Sequence, residues 1–189
     1  MTFYALILFA HIVAVLTLFS ALSFEILSLC RLRQASCLTD VLLWIKPVGG
    51  LPLVTIGSVL VVFFSGVYLA IRMSAFDLPW PKVTVAALLL IAPLGAMTGR
   101  RMRALRQACD AAQSFNPELL KRLRDPFLKI SLAVRIAVAL GIVLLMVAKP
   151  GWSESISIMG ASVLLGFLST FLTRRGRTSL SVSGTHFPG

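Results

Sequence analysis

The chain has 189 residues, 58% of them hydrophobic and 13% charged, with a formal net charge of +11. Soluble domains carry about a quarter charged residues and under half apolar ones, so a soluble globular domain, with the polar surface it needs, is excluded. The charge would suit a nucleic-acid partner, but the basic residues stand in short blocks between long apolar runs, which is the pattern of flanked membrane spans and not of a nucleic-acid surface.

Five apolar segments predict transmembrane helices at about 3–29, 51–71, 83–98, 127–148 and 155–173, close to the roughly 20 residues a helix needs to cross a bilayer. The fold expected is an all-α polytopic bundle, with one transmembrane domain over 1–173. The first segment has no charged leader and is followed by basic residues, so it reads as an uncleaved helix inserted N-terminus outward. After it, a short apolar run from Val41 to Ile45 is expected along the membrane surface, before "KPVGGLP" (46–52) opens span two. Gly57, Ser58, Ser65 and Gly66 in span two suit close helix packing. The prolines of "DLPWPK" (77–82) stop one helix and start the next in a tight outer loop.

Span three is short, so its helix is expected to run past Gly99 into the basic segment 99–126, with a kink at Pro93. That segment places Met102, Leu105 and Cys109, then Leu119, Leu120 and Leu123, at helical spacing among basic residues. It reads as a helical extension at the interface whose charge serves topology; the alternative is that Arg100, Arg101, Arg103, Arg106, Lys121, Arg122 and Arg124 bind anionic lipid headgroups or a partner. Asn116 before Pro117, and Asp125 before Pro126, each read as an N-cap with proline in the first helical position. Span four carries Arg135, and span five carries Gly160 and Gly166. The tail 174–189 turns rich in Ser and Gly beyond Thr178 and is expected to be disordered.

Orientation follows from counting Lys and Arg in the connections: 14 fall on one side and three on the other, Arg72, Lys82 and Lys149. The positive-inside rule then puts the N-terminus outside and the C-terminus in the cytoplasm. Trp44, Trp80 and Trp152 at span ends, with Tyr4 and Tyr68 near outer ends, fit an aromatic belt. Cys30, Cys37 and Cys109 are an odd, sparse set with no zinc spacing and read as free thiols.

Two residues of span one carry possible chemistry. His11 and Glu25 share a helix face with Val15, Leu18 and Leu22 but stand about 21 Å apart along it. Glu25 and Arg135 lie at matching depths from the cytoplasmic end, about 9 and 12 Å, and an unpaired charge there would be costly. A structural Glu25–Arg135 ion pair is expected; the alternative is a proton or ion relay through Glu25. His11 is either a hydrogen-bonding helix contact or a ligand for metal or haem. Met73, Met146 and Met159 fall near its level, and one imidazole with thioethers would suit Cu(I). A haem held by two histidines of one monomer is excluded, because the second histidine, His186, is in the tail. No phosphate loop, zinc-protease or nucleophile-elbow motif occurs, so an enzyme is not expected.

"FAHIVAVLTLFSALSFEI" (9–26), "GSVLVVFFSGVYLA" (57–70), "LPWPKV" (78–83) and "GRRMRAL" (99–105) resemble a group of small bacterial integral membrane proteins of unknown function. The group is loosely similar to the CopD copper-resistance membrane domain, and the resemblance covers about residues 5–145. It implies a helical bundle in the bacterial inner membrane and copper handling at His11. The extra membrane histidines and methionine motifs of a dedicated copper importer are missing. The function expected is therefore a non-catalytic accessory or scaffold with a membrane-protein partner or a second copy of itself. Copper or haem binding at His11, or ion transport through Glu25, are the alternatives.

Overall fold

The computed structural model describes residues 3–34, 38–111 and 126–178. They form six α-helices and no strand: α1 (Phe3–Gln34), α2 (Leu38–Val48), α3 (Leu51–Arg72), α4 (Pro79–Ala111), α5 (Pro126–Ala148) and α6 (Trp152–Thr178), with a 3-10 turn at Ala75–Asp77. All but α2 are long and apolar enough to cross a membrane. The chain is an all-α, multi-pass membrane protein.

Length separates the helices into two kinds. α3 and α5, with 22 and 23 residues, rise about 33–35 Å, close to the hydrocarbon thickness. α1 and α4, with 32 and 33 residues, rise nearly 50 Å, so both extend beyond it. Their extensions carry Arg31 and Arg33, and Arg100 to Arg106, and define a basic end of the bundle. At that end α2 packs one face into the bundle and leaves the other, with Asp40 and Leu43, exposed. Val41 and Ile45, one turn apart, are fully buried among Leu29, Leu32, Met102, Leu105 and Cys109.

The third span extends into the basic segment, as its shortness predicts. α4 runs unbroken through Pro93 and on past Gly99, as one helix to Ala111. α6 continues to Thr178, so residues 174–178 are helical where a disordered tail was expected. Asn116, Pro117, Lys121, Arg122, Arg124, Asp125, Cys37, His186 and the stretch 179–189 lie outside the described residues.

Two turns set the helix pairing. After α3, Ser74 takes a left-handed conformation (φ 51°), and α4 starts at Pro79 with Pro81 behind it. Both prolines occupy first-turn positions, where a helix has no use for the missing N–H. After α5, Lys149 is left-handed (φ 48°) and its N–H donates to the Leu145 carbonyl at 3.0 Å. The Gly151 N–H then donates to Glu154 Oε2 at 3.2 Å, half of a capping box, and α6 begins. So short a link makes α5 and α6 antiparallel neighbours, and glycines bring them close. A Cβ on Gly166 would stand 2.8 Å from Val134 Cα, and one on Gly141 would stand 3.0 Å from Ser162 Cβ.

α5 is the centre of the bundle. Of its apolar window 44% is buried, against 17–22% in the other four spans. It touches α1, α4 and α6, while α3 packs mainly on α1. α3 and α4 scarcely meet, and the space between them holds the candidate site.

Candidate functional site

Each odd polar residue of α1 meets a partner on a different helix. His11 Nδ1 lies 2.8 Å from Ser65 Oγ on α3, and both groups are buried. The Ser65 hydroxyl proton goes to the Val61 carbonyl one turn back. Gly66 makes room for the ring: a Cβ there would sit 3.2 Å from His11 Cε1. In the sequence, Ser65 and Gly66 carry only the small-residue signature of helix packing. The missed signal is that they match His11 in depth, near the end of α3 that lies beside the start of α1.

Fourteen residues further along α1, both oxygens of Glu25 lie 3.2 Å from Arg135 Nη1 on α5. Both side chains are about nine-tenths buried. Arg135 Nη2 and Nε donate to no oxygen among the described residues. Gly95 of α4 leaves space beside them, because a Cβ there would be 3.7 Å from Nε. One turn before Arg135, Ser131 Oγ lies 2.7 Å from Thr98 Oγ1, and Thr98 donates to the Leu94 carbonyl. Serine and threonine hydroxyls thus tie α4 to α5 beside the place where the ion pair ties α1 to α5.

His11, Glu25, Gly95, Thr98 and Arg135 line one cavity of about 640 Å³ between α1, α3, α4 and α5. His11 and Met146 stand at one end; Glu25, Arg135, Arg100 and Arg103 stand at the other. Between them the walls are apolar, with Leu16, Phe19, Ile56, Leu60, Ile91 and Ile142. Ile56 and Leu60 on α3, and Ala92 and Ala96 on α4, are exposed, so the cavity opens sideways between those helices. Its size falls in the range of about 300–1,000 Å³ typical of small-molecule sites.

A second cavity of about 290 Å³ adjoins the other side of His11 and is also lined by Met73, Met146, Trp80, Thr84 and Lys149. Trp80 Nε1 and Thr84 Oγ1 are buried with no hydrogen-bond partner among the described residues. Met73 and Met146 thus share a cavity with His11. Met159 does not: it packs where α5 meets α6, its Sδ 3.8 Å from where a Gly141 Cβ would be. No group of three or more His, Cys, Asp or Glu side chains arranged to hold a metal occurs among the described residues.

The described part of the basic segment is helical throughout. Met102, Leu105 and Cys109 face the core, while Arg100, Arg101, Arg103 and Arg106 are exposed. Arg101 lies over the Phe127 ring, 4.1 Å from its centroid, which ties α4 to the start of α5. Arg31 lies 5.6 Å from the centroid of Trp44, and at the opposite end Lys82 lies 5.8 Å from that of Trp152. Cation and aromatic ring thus meet at both ends of the bundle, where an amphipathic ring suits a headgroup layer.

Compared with known proteins, no family model, no curated protein and no solved structure matches this chain.

Proposed function

We propose that the chain is a non-catalytic accessory or scaffold protein of the bacterial inner membrane, with its basic end in the cytoplasm. One observation carries this reading: His11 and Glu25, the two ionisable residues set within the apolar run 9–27 of α1, are spent on holding helices together. Glu25 clasps α5 at 3.2 Å and His11 clasps α3 at 2.8 Å. The Glu25–Arg135 pair ties α1 to α5, which favours a structural role for Glu25 over a relay. The basic end lies among anionic headgroups, to which its exposed arginines are attracted.

The test is partner recovery. A Cβ on Gly160 would meet nothing within 4 Å, and Gly160 is exposed on α6. Gly160→Leu leaves the bundle's own packing intact but obstructs a helix docking there. Cross-linking in membranes followed by purification captures a partner, or a second copy, with the wild type and loses it with Gly160→Leu. Unchanged recovery would remove this face of α6 as the docking surface. Gly66→Leu is no substitute, since it would strike His11 within the bundle.

A second reading is favoured by one specific feature. His11 shares a cavity with Met73 and Met146. An imidazole nitrogen with thioether sulfurs is a donor set that suits Cu(I), in keeping with the resemblance to CopD-like membrane domains. Elemental analysis for copper and iron on detergent-purified protein, wild type beside His11→Ala, decides it. Near-stoichiometric metal lost in the variant establishes a ligand. Metal in neither, after copper loading and haem supplementation, leaves His11 as a helix contact.

A further inference from the structure

The larger cavity has a polarity that a scaffold does not need. It is apolar for most of its length, opens sideways between α3 and α4, and is cationic at one end only. Arg100 and Arg103, both exposed, stand at that end. They lie one helical turn apart on α4, so their side chains project to the same side. Behind them is Arg135, with two nitrogens free of any acceptor among the described residues. Glu25 cancels one positive charge, which leaves Arg100 and Arg103 with no carboxylate partner among the described residues. The apolar part runs from there toward His11, over much of the roughly 21 Å that separates Glu25 from His11 along α1. One leaflet of hydrocarbon is about 15 Å deep. An object with a negative head and an apolar tail of that length matches the cavity in charge, polarity gradient, length and route of entry.

We infer that this cavity is a binding site for one anionic phospholipid. Its phosphate sits at Arg100 and Arg103, and one acyl chain passes between α3 and α4 and lies along Ile56, Leu60 and Leu16. A basic pocket between membrane helices is a recognised form of headgroup site. A zwitterionic lipid offers the same chain, but its ammonium group would face the arginines. The lateral opening lets a lipid enter from the leaflet without unfolding any part of the bundle. The inference rests on the reading that the basic end lies among headgroups, and the experiment separates the two.

Full-length protein in a mild detergent is titrated with palmitoyl-oleoyl phosphatidylglycerol, with the phosphatidylcholine of the same chains, and with sn-glycerol 3-phosphate. Native mass spectrometry reads the retained adducts. The wild type retains one phosphatidylglycerol with about tenfold preference over phosphatidylcholine and retains no glycerol phosphate. Arg100→Gln and Arg103→Gln each reduce that preference a few-fold, the worth of one basic residue near a charged surface. Arg31→Gln, a basic residue at the same end but outside the cavity, leaves it unchanged. Ala92→Phe, and separately Ile56→Trp, place a ring in the cavity from its exposed margin and abolish the adduct, with the thermal melt confirming that each variant is folded. If both folded variants keep the adduct, the lipid lies on the outer surface: the headgroup reading stands and the cavity site falls. If the wild type shows no preference for phosphatidylglycerol, both fall. Equal retention of glycerol phosphate would show that the apolar cavity contributes nothing and would also overturn the site.

Discussion

Removing Glu25 leaves the Arg135 guanidinium without a counter-charge among apolar side chains. Breaking a buried pair from one side costs about 3 kcal/mol or more, whereas replacing both partners by apolar residues is often close to neutral. Glu25→Leu alone should therefore destabilise the bundle by about that much, and Glu25→Leu with Arg135→Leu should return to within about 1 kcal/mol of wild type. Reversible unfolding in mixed micelles measures both; a neutral single variant would show that the pair clasps nothing. Two serines make the complementary case. Ser28 Oγ is fully buried with no partner among the described residues, so Ser28→Ala should stabilise by about 1 kcal/mol by removing an unmet polar group. Ser131 is as deeply buried but bonded to Thr98, so Ser131→Ala should destabilise by about 0.5–1 kcal/mol, the usual scale of an interhelical hydrogen bond in a membrane. The same assay reads both, and a common sign would defeat the distinction. From sequence, the depth of Glu25 points to Arg135 because charges in apolar spans are rare enough to match by elimination. His11 offers no such elimination. Serines and threonines occur in every span, and only the placement of α3 against α1 selects Ser65.

Helix approach separates glycines that look alike in sequence. Gly57, Gly66, Gly160 and Gly166 all stand in apolar spans and all suit packing. In the bundle, Gly166 meets the α5 backbone at Val134, Gly66 meets the His11 ring, and Gly57 and Gly160 meet nothing. Gly166→Val should cost about 1–3 kcal/mol, because a backbone atom cannot move aside as a flexible side chain can. Gly57→Val should cost well under that. Side-by-side thermal melts of the two variants test this, and equal losses would mean that α5 and α6 are not in close contact. The same limit explains α2. An 11-residue helix is too short to span, so hydropathy alone leaves it on a surface. Its partial burial depends on Val41 and Ile45 facing α1 and α4, a placement that no single segment encodes. The five spans themselves are legible because length and hydropathy are local properties. Which helices touch, and where a cavity remains between them, is decided by contacts between distant segments.

For the molecule as a whole, charge asymmetry and helix lengths point the same way. The two longest helices outrun the hydrocarbon furthest at the basic end, with Arg31 and Arg33 on α1 and Arg100 to Arg106 on α4. The opposite end has a single short turn between α3 and α4 and another between α5 and α6, with Arg72, Lys82 and Lys149 as its basic residues. Transferring the basic end across the membrane during insertion would carry most of the chain's positive charge against the membrane potential, at about 2.3 kcal/mol per charge per 100 mV. The basic end is therefore expected in the cytoplasm, and the lipid that enters the cavity is expected to come from the cytoplasmic leaflet. Cys30 is exposed near that end, and Asp77 is exposed at the other. With Cys37 and Cys109 replaced by Ala, a membrane-impermeant maleimide applied to intact cells should leave Cys30 unlabelled until the membrane is permeabilised. In a further variant with Cys30 also replaced, Asp77→Cys should label at once. The reverse pattern would place the arginine-rich mouth of the cavity on the outer surface and make the outer leaflet its source of lipid.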